Sequence, residues 1–193
     1  MSEMPEKAPR SRASLWLIII LCAAPVVASY LTFYFFAPKS QVNYGELVGT
    51  RPLPTTMMQS IDGSPFGIER LRGKWVLLMA DSGACGADCA KKLFMLRQLR
   101  LAQGREMARI ERLWLITDGA MPAAETVEAF AGTWLLRAAG SDLLKALPAE
   151  RGLEGFFYLA DPLGNLVLRY PLDADPSLVI KDMTRLLKTS GIG

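Results

Sequence analysis

The chain has 193 residues, 51% of them hydrophobic and 21% charged, with a formal net charge of +3, three cysteines and no histidine. A length of this order points to one domain with appendages, and so modest and dispersed a positive charge does not suggest a nucleic-acid surface. The missing histidine excludes a Ser-His-Asp triad, a Cys-His nucleophile pair and any His-ligated zinc or haem within the chain.

Residues 1–14 read as a short tail and residues 15–37 (LWLIIILCAAPVVASYLTFYFFA) as a transmembrane helix. The run has 23 residues without a charge, and roughly 20 suffice to cross a bilayer core. A cleaved signal peptide has a shorter apolar core, ~7–15 residues, ending at small residues. Here the run continues into Tyr30, Phe33, Tyr34, Phe35 and Phe36, an interfacial aromatic belt. Lys7, Arg10 and Arg12 precede the span and only Lys39 follows closely, so the tail is expected in the cytoplasm and the remainder in the periplasm. Glu3 and Glu6 argue against a mitochondrial transit peptide. Cys22 inside the span reads as a small apolar filler.

Residues 38–51 show no period and read as a linker, and residues 52–190 as the folded domain. Leu53–Ile61 and Phe66–Ile68 are expected as strands flanking an Asp62-Gly63 turn. Trp75–Ala80 (WVLLMA) suits a strand buried on both faces. The loop Ser82-Gly83-Ala84-Cys85-Gly86-Ala87-Asp88-Cys89 follows and leads into a helix over Lys91–Gln103. Cys89 should share that helix's inner face with Leu93, Leu96 and Leu99. Lys91, Lys92, Arg97 and Arg100 fall largely on the other side, as a solvated face or a docking patch for an acidic partner.

Ile110–Thr117 reads as a second central strand, ending at the turn residues Asp118 and Gly119. Pro122–Ala131 is expected as a helix, Thr133–Leu136 as a short strand, and Ser141–Leu147 as a helix capped by Ser141. Phe156–Ala160 and Leu166–Tyr170 form a hairpin across Asp161–Asn165, and Pro176 starts a final helix with Val179, Met183, Leu186 and Leu187 on its apolar side. Asp161, Asp173, Asp175 and Asp182 are expected in solvated or capping roles. This order gives an α/β, thioredoxin-like mixed sheet with flanking helices, plus one N-terminal transmembrane helix.

The two cysteines sit where a loop meets a helix N-terminus, which favours thiolate, the form that attacks disulfides and binds soft metals. An inert disulfide or two buried thiols is the alternative, although so small a loop gives little stabilisation through chain entropy.

The segment GKWVLLMADSGACGADCAKKL resembles the part of the Sco/SenC family that carries its Cys-x-x-x-Cys motif, and FFYLADPLGNLVLRYPLDADPSLVIKDMTRLLK is similar to that family's C-terminal part. The resemblance implies a membrane-anchored protein facing the periplasm that assists maturation of the copper centre of cytochrome c oxidase. Cys85 and Cys89 match the family cysteines. The family's third copper ligand, a histidine before the strand beginning near Phe156, has no counterpart; Leu153, Glu154 and Gly155 stand there, and Ala90 stands where proline is frequent.

Three functions remain open. In dithiol-disulfide exchange with an oxidase subunit or another periplasmic thiol or copper protein, Cys85 attacks and Cys89 resolves. Asp88 between them opposes thiolate by its charge and suits the helix dipole. In Cu(I) carriage, the two thiolates hold copper, and Met79, Met95 or Met121 could add a thioether unless they serve as core. In the third, the chain is a docking protein whose cysteines are dispensable.

Overall fold

The computed structural model describes residues 12–35, 43–150 and 152–191. Two units are distinguished, residues 1–42 and 43–193. Of the expected segments, tail residues 1–11, span residues 36–37 and linker residues 38–42 lie outside the described residues, as do Lys7, Arg10 and Lys39.

In the first unit, α1 (Arg12–Phe35) is a 24-residue helix containing Pro25. At 1.5 Å per residue it is about 36 Å long. It is the one helix among the described residues long and apolar enough to cross a membrane, over 14–32. The Thr32 hydroxyl donates to the Ala28 carbonyl at 2.7 Å, the local pairing that suits an apolar helix.

The second unit is built on β4 (Trp75–Asp81), all seven residues of which are buried. It pairs in parallel with β5 (Ile110–Ile116), which pairs in parallel with β6 (Thr133–Arg137). On its other side β4 meets β7 (Phe156–Ala160) antiparallel, and β7 forms a hairpin with β8 (Asn165–Pro171). The outer strands β1 (Glu46–Pro52), β2 (Met57–Ser60) and β3 (Pro65–Gly67) complete an eight-stranded mixed sheet of order β1-β8-β7-β4-β5-β6-β2-β3.

Alternate residues of β4 feed two cores. Trp75, Leu77 and Met79 pack with α2 (Ala87–Ala102), with Val127 and Phe130 around α3 (Ala124–Ala129), and with α5 (Pro176–Thr189). Val76, Leu78 and Ala80 pack on the opposite face with Leu143 of α4 (Asp142–Ala146). Ser141 accepts the Leu144 N–H and caps α4, and Asp175 accepts the Ser177 N–H and caps α5.

Four expectations are corrected. The linker expected over 38–51 ends in structure: 46–52 is the edge strand β1, paired with β8 through a register break between Leu47 and Arg51. The break and its exposed edge position erase the alternation that marks a strand. Arg169 holds this edge with a bidentate pair to Glu46 at 2.8 and 2.9 Å, which lowers the Glu46 carboxyl below the usual range. The strand expected from Leu53 begins only at Met57, because Pro54 cannot donate to a ladder. Asp182 is not solvated; it is buried and accepts the Gly45 N–H at 2.8 Å, fastening the start of the unit to α5. Lys92 does not lie on a solvated face; it is fully buried. It belongs to the inner stripe Cys89, Lys92, Leu93, Leu96 and Leu99, whose helical spacing puts it inside whatever its charge.

Leu96 is fully buried whereas Phe94, two residues earlier, is 56% exposed. Leu96→Ala is expected to lower the unfolding free energy by about 2–5 kcal/mol in a urea titration. Phe94→Ala is expected to change it by no more than about 0.5 kcal/mol.

Candidate functional site

The site forms where β4 runs out. Strand residues remain buried up to Asp81, and the chain then turns through Ser82–Gly86 into α2. The turn is closed by its own polar groups. Cys85 N–H donates to the Ser82 carbonyl at 3.2 Å, and Ala84 N–H to the Ser82 hydroxyl at 3.1 Å. Gly86 caps α2 in an extended conformation, and Ala90 N–H reaches its carbonyl at 3.0 Å.

Cys85 and Cys89 form a disulfide with their Cα atoms 5.1 Å apart. Their surroundings differ. Cys85 is half-buried just before the helix, with φ of +44°, the only positive φ outside glycine among the described residues. Such a conformation costs of order 1–3 kcal/mol and persists only when its surroundings hold it. Cys89 is the third residue of α2 and is 2% exposed. Its sulfur therefore lies in the first turn, where N–H groups lack intrahelical partners and the helix dipole favours negative charge. Asp88 is exposed in the same turn, on the side the dipole prefers.

A second loop braces the first. Asp118, just beyond β5, accepts the Gly83 N–H at 3.0 Å and the Ala120 N–H at 3.1 Å through one oxygen. The Ser82 hydroxyl, then these two amides, hold its carboxyl below the usual range. A Cβ at Gly83 would run into the Ala120 carbonyl, so only glycine fits between the loops.

The elements that flank the loop are joined by a buried charge pair. Lys92 Nζ stands 2.7 Å from Asp81 Oδ2 and donates to the carbonyls of Ala80 at 3.2 Å and Glu154 at 2.8 Å. The other Asp81 oxygen accepts the Ser82 N–H at 2.8 Å. The ammonium thus ties α2, the end of β4 and the 3-10 turn Leu153–Gly155 together. That turn is the region where the sequence resemblance would have placed a histidine ligand.

The candidate thioethers diverge. Met79 is fully buried in the core, and Met95 packs partly buried against it. Met121 is exposed, and its sulfur accepts a hydrogen bond from Arg137 at 3.3 Å. Asp81, Lys92 and Asp118 are the site residues that sequence reasoning missed. The apolar stripe of α2 carried the signal for Lys92, and the ends of two adjacent parallel strands carried it for both aspartates.

Because the Asp118 carboxyl is lowered in the folded chain, its contribution is complete above the unfolded value near pH ~3.9 and is lost as pH falls through the folded one. The Gly83 and Ala120 amides are therefore expected to keep their hydrogen-exchange protection at neutral pH and lose it only in strong acid. Asp118→Ala should lose it at every pH.

A family model described as "transmembrane-like, thioredoxin-like, C-terminal domain" matches residues 75–190. No curated protein matches the chain. Among solved structures, copper-bound yeast Sco1 is similar at 20% identity and a TM-score of 0.58, covering 72% of this chain and 96% of that one. A SCO1/SenC family lipoprotein from Bacillus anthracis is similar at 21% identity and a TM-score of 0.55, covering 73% and 97%. BsSco, described as a Sco-family cytochrome c oxidase assembly protein with a disulfide switch, is similar at 15% identity and a TM-score of 0.53, covering 75% and 95%. At these identities the likeness is one of fold. The chain belongs to the transmembrane-like, thioredoxin-like C-terminal domain family, and its domain has the fold found in the Sco/SenC proteins.

Proposed function

We propose that this chain is a membrane-anchored thiol-disulfide exchange protein, held by α1 with the unit of residues 43–193 on the periplasmic side, that assists assembly of cytochrome c oxidase. The observation that carries the reading is the unequal exposure of a bonded cysteine pair at a helix N-terminus: Cys85 half-buried in the loop, Cys89 enclosed one turn behind it.

In the reduced chain the Cys85 thiolate attacks one sulfur of a partner disulfide, forming a mixed disulfide and releasing the partner's other sulfur as thiolate. The Cys89 thiolate then attacks Cys85 Sγ, the second partner sulfur leaves, and the intramolecular bond closes. Two electrons, and two protons when both partner sulfurs end as thiols, pass to the partner. A periplasmic dithiol running the same steps in reverse restores the reduced chain. The α2 N-terminus favours the anionic sulfur at each stage.

A second reading, transient Cu(I) carriage, is favoured by the copper bound in the similar yeast structure. Two thiolates suit a soft cation. Among the described residues no third Cys, His or acidic ligand joins them. The exposed Met121 thioether faces the Arg137 guanidinium, a cation that opposes copper. Under this second reading copper would be cargo of the reduced pair rather than a resident cofactor.

Cys89→Ser should accumulate a mixed disulfide with oxidised glutathione, seen as a mass increase. Cys85→Ser, left with the enclosed sulfur, should react at least about tenfold more slowly. Equal rates would remove the assignment of attacking and resolving sulfurs. In cells deleted for the chain, oxidase activity should fall and the double Cys→Ser variant should not restore it; restoration would favour the docking role. Anaerobic Cu(I) titration of the reduced chain should give weak binding, and tight one-to-one binding would instead select the carrier.

A further inference from the structure

We propose that the buried Lys92 and Asp81 bias the reduction potential of the Cys85–Cys89 couple in opposite directions and that their pairing holds the two biases in balance, both acting as positioning residues through their charges. The inference rests on the disulfide-exchange reading and deepens it.

A buried ammonium is costly unless every donor is met. Lys92 has three donors, and they meet Asp81 Oδ2, Ala80 O and Glu154 O. The group is fully satisfied, so its presence at a core position of α2 is stable although a leucine or methionine would suit the stripe. Among the described residues the buried charged ones are Asp81, Lys92, Arg112, Arg169 and Asp182. Of these, only Asp81 and Lys92 lie on the elements that lead into and out of the cysteine loop.

Lys92 follows Cys89 by three positions on the same buried face, a spacing that brings Cβ atoms to about 5–6 Å. Asp81 precedes Cys85 by four residues and grips the first amide of the loop. Both charges are shielded from water, where their fields are screened least. Reduction adds two electrons to the sulfur pair and takes up a proton for each sulfur that does not remain thiolate. Negative charge on the enclosed Cys89 sulfur is stabilised by the ammonium and opposed by the carboxylate. The intact pair nearly balances; removing either member unbalances it in a known direction.

The test is a redox titration of the full chain in detergent against reduced and oxidised dithiothreitol at fixed pH, read by alkylation and mass. Dithiothreitol supplies two electrons and two protons and becomes its cyclic disulfide. Lys92→Met leaves the carboxylate alone and should lower the equilibrium constant for reduction about tenfold, a potential about 30 mV more negative. Asp81→Asn leaves the ammonium alone and should raise that constant by about the same factor. The double variant should return to within about threefold of the native value, since no net charge remains.

Opposite shifts that cancel in the double variant support the proposal. Loss of a purely structural brace would move both single variants the same way, and that result, or no shift in either, overturns it. If Lys92→Met does not fold, Asp81→Asn and the double variant still decide, because the second change has to reverse the first. A native disulfide that dithiothreitol cannot reduce in the folded chain would remove the exchange reading and this inference together. A native pair that exchanges normally while the variants fail to split would remove the inference alone.

Discussion

The unit is organised by the complete burial of β4. A strand with apolar residues on both faces must be covered on both faces and paired along both edges, because water reaches neither its side chains nor its amides. That requirement places β5 and β7 beside it, α2 and α5 over one face and α4 over the other. At its C-terminal end the strand leaves this enclosure, and there the chain changes from Asp81 to the cysteine loop. The open crevice at such strand ends is where parallel sheets place their chemistry.

Burial at that exit includes charge as well as hydrocarbon. Lys92 crosses from α2 to the end of β4 and to the 3-10 turn before β7, so three segments distant in sequence share one ammonium. The arrangement tolerates little displacement, since moving any segment leaves a donor or a carboxylate without its partner in a region that water does not reach. The segments on either side of the cysteine loop are thus tied together, while Cys85 within it occupies a conformation that a side chain adopts only under constraint.

Much of this order was legible in the sequence. WVLLMA announced a central strand, the Leu93–Leu96–Leu99 stripe announced a helix, and the strand–loop–helix transition located the cysteines. The departures have physical causes. Strand β1 is an exposed edge interrupted in register, so its residues carry no alternation to detect. Residue type points Lys92 to a solvated or docking face and Asp182 to a solvated or capping role, whereas their partners, the Asp81 carboxylate and the Gly45 amide, come from other elements of the fold. The role of Asp118 depends on two strand ends lying side by side, which is a property of the sheet rather than of the Asp-Gly turn.

The close seating of Gly83 against Ala120 shapes what a partner meets. With no room for a side chain between the two loops, the rim beside Cys85 is a mould of main chain, its amides turned inward onto Asp118 and Ser82. Its contour is thus largely indifferent to which side chains decorate the neighbouring surface. Under the exchange reading, an incoming sulfur would meet this stretch of peptide backbone beside Cys85.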